Sequence, residues 1–159
     1  RDNARRIVLT LKHGDRPDLA RPTADWMARV ARPIRQEGMI VAPVPLHRMR
    51  LLFRLYNQSA VLSARVARLL DLSHCPDLLQ RQKMTGSQDG RDRDGRYANL
   101  TGALRVTPRH CGKIAGAHVL LVDDVMTSGA TFAAAAEACH AAGASSVSVL
   151  ALARVAKDA

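Results

Sequence analysis

Aromatic side chains are scarce in this chain: one Trp, two Tyr and two Phe make up 3% of its 159 residues. Its core must therefore be built from Ala, Val and Leu, and a stacking ladder for successive bases is excluded. Cysteine is nearly as sparse. Cys75, Cys111 and Cys139 stand 36 and 28 residues apart, so no Cys-x-x-Cys zinc site is written here, and the three read as buried thiols of a reducing cytoplasm. Every apolar run falls well short of the roughly 20 residues a membrane helix needs, and no signal peptide is visible, so a soluble protein without membrane insertion is expected. A P-loop is missing too, because Gly112 and Lys113 are followed by Ile114 where Ser or Thr would be required.

What is present is apolar content of 47% on a length suited to one domain, residues 1–159, without repeats or a separating linker. The chain starts at Arg1, without an initiator Met, which points to further residues upstream. Its net charge is +10 and its pI about 10.7, and the excess is nearly all arginine, 20 Arg against 4 Lys. The planar guanidinium fork grips phosphates through two bonds at once, which suits a polyphosphate substrate or a nucleic-acid backbone. An Ala- and Arg-rich composition inherited from a GC-rich genome accounts for many of these residues equally well.

Strand-like and helix-like patterns alternate. Ile7, Val8 and Leu11 predict a short helix over 3–12, and Leu19, Trp26, Met27, Val30 and Ile34 predict another over about 23–36. Residues 39–44 read as a buried strand, followed by a loop presenting His47, Arg48 and Arg50. Over 57–70 a helix is expected with Ala60, Val61, Ala64, Ala67 and Leu70 inside and Arg65 and Arg68 outside. Short strands are expected at 78–82 and 103–106. Between them, residues 83–99 are polar, glycine-bearing and long, which marks a functional loop or disorder. A strand at 119–124, a helix carrying Phe132, Ala135, Ala136, Cys139 and Ala142 and closed by Gly143, and a strand at 146–152 complete the pattern of an α/β protein, an open parallel sheet flanked by helices.

The most informative stretch is 119–131, Val-Leu-Leu-Val-Asp-Asp-Val-Met-Thr-Ser-Gly-Ala-Thr. Four apolar residues form a strand buried on both faces, so Asp123 and Asp124 come at its carboxyl end, the ligand edge of an open parallel sheet. Thr127, Ser128, Gly129, Ala130 and Thr131 then supply hydroxyls and backbone N–H groups at the start of a helix, whose dipole favours an anion. A phosphate suits that turn, and the two carboxylates before it suit the hydroxyls of a sugar attached to that phosphate. The arrangement reads as a ribose 5-phosphate site. A receiver domain also has an Asp-Asp strand end, but it needs a later strand bearing the phosphorylated Asp, and the only later Asp here is Asp158. An ordinary strand-to-helix turn with an acidic cap explains neither the doubled acid nor the three hydroxyls.

This run resembles the diphosphoribosyl-binding signature of type I phosphoribosyltransferases, in which two acids precede a Thr-Thr-Gly-x-Thr turn; only Ser128 departs, and it keeps the hydroxyl. Around it, residues 11–16 (Leu-Lys-His-Gly-Asp-Arg), 44–48 (Val-Pro-Leu-His-Arg), 54–60 (Arg-Leu-Tyr-Asn-Gln-Ser-Ala), 88–99 and 99–103 (Asn-Leu-Thr-Gly-Ala) are similar, in that order, to the ComF branch associated with competence and DNA uptake. Leu55 stands where members of that branch have Gly, which puts the backbone's approach to ligand there in doubt. Many members also carry an N-terminal four-cysteine zinc module, which these residues do not include.

The resemblance implies a type I phosphoribosyltransferase fold, 5-phosphoribosyl 1-diphosphate (PRPP) as donor and Mg²⁺ as cofactor. It implies ribose binding by Asp123 and Asp124, which would also meet the metal indirectly, and 5-phosphate binding by residues 127–131. Pyrophosphate binding would fall to His47 and Arg48, and closure of the site to the loop bearing Arg91, Arg93 or Arg96. His47 reads equally well as a surface histidine, and Asn57 and Gln58 as a helix cap. The acceptor is not legible, and a homo-oligomer is compatible with the pattern. A transferase with a small acceptor and a non-catalytic PRPP binder whose arginines hold single-stranded DNA both fit.

Overall fold

The computed structural model describes residues 20–45, 57–81 and 103–155. In chain order the elements are α1 (Ala20–Ala31), a 3-10 turn (Arg32–Ile34), β1 (Ile40–Pro43), α2 (Gln58–Leu70), β2 (Ser73–His74), β3 (Leu79–Arg81) and β4 (Leu104–Val106). A second 3-10 turn (Pro108–His110) follows, then α3 (Cys111–Ile114), β5 (His118–Met126), α4 (Ala130–Ala141) and β6 (Ser146–Arg154). Four strands pair in parallel in the order β2-β1-β5-β6. The expected open parallel sheet flanked by helices is therefore present.

The two central strands show why their sequences are almost wholly apolar. Successive side chains of a strand face opposite ways, and both faces of this sheet are covered. Ile40, Ala42, Val119 and Leu121 enter one core with Phe132, Ala135 and Cys139 of α4. Val41, Leu120 and Val122 enter the other, against Ala24, Met27 and Ala28 of α1 and Leu62 and Val66 of α2. The chain crosses from β1 through α2 to β2 on one side, then returns past β1 to β5 and continues through α4 to β6 on the other. Between β1 and β5 the direction of winding reverses, and in open α/β sheets ligands bind outside the carboxyl ends of the strands at that switch.

Several expectations need correction. Helix 23–36 is α1 followed by a 3-10 turn that contains Pro33. Trp26, Val30 and Ile34, whose spacing predicted the helix, are 51%, 72% and 40% exposed, whereas Ala24, Met27, Ala28 and Ala31 are buried. The small side chains let α1 lie close on α2, and the large apolar ones were the wrong guide. In α2 the inward residues are Leu62, Ser63, Val66, Ala67 and Leu70, and Val61 is exposed. The short strand expected at 78–82 is β3, and it pairs antiparallel with β4 in a separate ribbon rather than joining the main sheet. Strand β5 runs two residues beyond the paired acids, to Met126, alongside β6. Cys111 is exposed, although Cys75 and Cys139 are buried as expected. Edge strand β2 was not foreseen, being two residues long and polar. The helix expected over 3–12 lies outside the described residues. Among the described residues, no helix is long and apolar enough to cross a membrane.

Candidate functional site at the carboxyl edge of the sheet

At the switch between β1 and β5 the ladder stops on one side and continues on the other. Pro43 is in register with Val122, and the Val44 N–H donates to the Val122 carbonyl at 2.9 Å. The next residue, Pro45, has no N–H to offer. β5 keeps its pairing with β6 for four more residues, through Asp123 to Met126. Asp123 and Asp124 thus begin where β1 has ended, each half-buried.

Asp123 is held from the start of α2. Asn57 caps that helix, its side chain accepting from the Ser59 N–H at 3.1 Å, as the helix-cap reading expects. The Ser59 hydroxyl then donates to Asp123 Oδ1 at 2.7 Å, and the Asp124 N–H donates to the same oxygen at 2.8 Å. Despite these two donors, burial pushes the Asp123 carboxyl up to about 6, with the charge of Asp124 adding to the effect. Next to Ser59, buried Gln58 has a side-chain carbonyl oxygen with no hydrogen-bond partner among the described residues. Ser59 lay within a segment singled out in the sequence but received no role there; the available signal was a hydroxyl two residues after a helix cap.

The turn after β5 begins at Thr127. Thr127 and Ser128 are exposed, and Gly129 has φ +82°, a left-handed conformation that glycine adopts without penalty. Gly129 is the N-cap of α4, whose first described helical bond runs from the Ala133 N–H to the Gly129 carbonyl at 2.9 Å. The Ala130 N–H meets Ser128 Oγ at 3.4 Å, while those of Thr131 and Phe132 belong to the first turn, ahead of the helical ladder. The structure thus brings Asp123, Asp124, Thr127, Ser128, Gly129, Ala130 and Thr131 to one edge in strand, turn and helix order. His47, Arg48, Arg91, Arg93 and Arg96 lie outside the described residues. A separate cavity of about 560 Å³ sits on the far side of α2, lined by residues including Arg21, Arg65, Arg68 and His74, and contains none of these groups.

Residues 57–159 match the phosphoribosyl transferase domain family. The chain belongs to that family. It is a ComF-like, type I member: 114 residues are 32% identical to competence protein F of Haemophilus influenzae, over 72% of this chain and 49% of that protein. The chain thus spans about half the length of that curated relative. Solved structures share its fold at low identity. A glutamine phosphoribosylpyrophosphate amidotransferase from B. subtilis gives a TM-score of 0.53 at 18% identity, over 82% of this chain and 26% of that one. A hypoxanthine phosphoribosyltransferase from Trypanosoma cruzi gives 0.51 at 13%, over 87% and 74%. The family assignment agrees with the resemblance read from residues 119–131.

Proposed function

We propose that this phosphoribosyltransferase-fold protein binds PRPP at the switch between β1 and β5 and transfers its phosphoribosyl group to an acceptor, releasing pyrophosphate. One observation carries the reading: two adjacent carboxylates stand where β1 ends, five residues ahead of a left-handed Gly129 that opens α4. Asp123 and Asp124 accept hydrogen bonds from the ribose hydroxyls. The hydroxyls of Thr127, Ser128 and Thr131 and the N–H groups of the first turn of α4 hold the 5-phosphate.

Mg²⁺ fits this donor set, since hard carboxylate oxygens suit it and a nearby cation relieves the burial and like charge that raise Asp123. When bound, it neutralises charge on the diphosphate. Asp123 and Asp124 are the residues that would hold it, indirectly, through water or the substrate. Displacement at the sugar carbon builds positive charge on the ring, as in glycoside hydrolysis, and the two carboxylates are placed to stabilise it. His47 and Arg48 on the diphosphate, and Arg91, Arg93 or Arg96 closing over it, complete the proposal.

Calorimetric titration with PRPP and Mg²⁺ should show binding to the wild type and its loss in Asp123→Asn; equal affinity in the two would remove the site assignment. A pyrophosphate-release assay across bases and amines addresses turnover. A second reading, non-catalytic PRPP binding joined to single-stranded DNA binding in competence, draws on the cavity that gathers Arg21, Arg65 and Arg68 and on the likeness to competence protein F. It requires affinity for an oligonucleotide to fall with salt, with a log–log slope of about −0.7 per phosphate contact. A flat response would dismiss it.

A further inference from the structure

Away from the sheet edge, a thiol, a carboxylate and an imidazole converge at the base of the β3–β4 ribbon. Cys75 and Asp77 lie in the turn between β2 and β3, and His110 ends the 3-10 turn before α3. Their ligating atoms all fall within 4.8 Å of one another. His110 Nε2 is 3.0 Å from Asp77 Oδ1, and Cys75 Sγ is 4.0 Å from the same oxygen. Ligands of a tetrahedral metal with bonds of about 2.0–2.3 Å stand roughly 3.3–3.8 Å apart. Asp77 Oδ1 is within a few tenths of an ångström of that spacing from both partners, and the thiol and the ring need to approach each other by about 1 Å at most to close the shell.

The surroundings preorganise it. The Thr107 hydroxyl donates to the Asp77 carbonyl at 2.6 Å, and the Thr107 N–H donates to the Leu78 carbonyl at 2.8 Å, tying the two turns together. Arg109 holds the other carboxylate oxygen, Asp77 Oδ2, which leaves Oδ1 facing the thiol and the ring. Cys75 is 2% exposed, whereas Asp77 and His110 are half-buried, so the cluster is dry on the thiol side and reachable from the other. The Cys75 thiol donates to the same oxygen that meets the His110 ring, so one carboxylate oxygen gathers a sulfur and a nitrogen ligand atom at one point.

We infer that Cys75, Asp77 and His110 form a site for a borderline-soft divalent metal of the zinc type, three protein ligands with a fourth position open to water. Mixed sulfur, nitrogen and oxygen donors select such an ion over Mg²⁺ or Ca²⁺. Binding releases the Cys75 proton and fastens the turn after β2 to the turn before α3. The metal acts as a staple at the foot of the ribbon whose strands bracket residues 82–102.

Co²⁺, a spectroscopic stand-in for zinc, tests this on the intact chain without reference to PRPP. Titration should give, at one equivalent, a thiolate-to-cobalt charge-transfer band with four-coordinate visible bands, bleached by Zn²⁺. The charge-transfer band should vanish in Cys75→Ser and survive in Cys111→Ser. His110→Ala, at a half-buried position, should weaken Co²⁺ binding by at least the roughly tenfold that loss of even an outer-shell partner costs. Zn²⁺ should raise the thermal midpoint of the wild type and of Asp123→Asn, but not of His110→Ala. Absence of the band in the wild type, or its persistence in a Cys75→Ser protein with native circular dichroism, overturns the inference.

Discussion

At the scale of single residues, the raised Asp123 carboxyl ties stability to pH. It is raised to about 6 by burial foremost, so between roughly pH 4 and 6 the folded state holds a proton that the unfolded state has released. Stability should therefore fall as pH rises across that window and level off above it, by an amount bounded at ~3 kcal/mol for a shift of about two pH units. Urea midpoints measured against pH should show this slope in the wild type and not in Asp123→Asn, which should be the more stable protein at pH 8 while failing to bind PRPP. The Ser59 hydroxyl lowers the same carboxyl. Ser59→Ala should accordingly move the Asp123 titration upward, as read by carboxyl-carbon NMR; an unchanged midpoint would deny Ser59 its positioning role.

At the scale of elements, the turn from β5 into α4 depends on one backbone conformation. A methyl group built on Gly129 would meet only Met126 Sδ, at 3.9 Å, so crowding is not the reason for glycine there. The left-handed φ is. Gly129→Ala should cost about 1–2 kcal/mol in equilibrium unfolding and weaken PRPP binding beyond any effect on global stability, because the N–H groups of the first turn lose their aim. Helix α2 carries the opposite lesson, since its fit depends on which residues touch the sheet. The periodicity of 57–70 predicted a helix correctly, yet Leu62 and Val66 form its inward face and Val61 does not. With apolar residues on nearly every side, the pattern leaves the rotation of the helix underdetermined until the sheet supplies a partner.

At the scale of the whole molecule, β5 joins both cores to the candidate site. Leu120 is fully buried beneath α1 and α2, while Val119 and Leu121 face the opposite core. Leu120→Ala should lower unfolding free energy by about 2–5 kcal/mol, as measured in denaturant. It lies three residues ahead of Asp123, so PRPP affinity should fall with it even under conditions where the variant stays folded; unchanged affinity would show that the acids are positioned by the turn alone.

What the amino-acid order determined unaided was whatever rests on neighbours along the chain. The apolar run of 119–122, the paired acids, the hydroxyl-bearing turn and the helix behind it all belong to thirteen consecutive residues, and strand burial, left-handed glycine and helix dipole act over that range. Tertiary structure alone decided the contacts that join distant segments. Ser59 reaches Asp123 across 64 positions, β3 leaves the main sheet for β4, and Cys75 meets His110 although 35 residues separate them. These meetings depend on which way the sheet winds and on small side chains such as Ala24 and Ala28 admitting a close helix, and no local period encodes either.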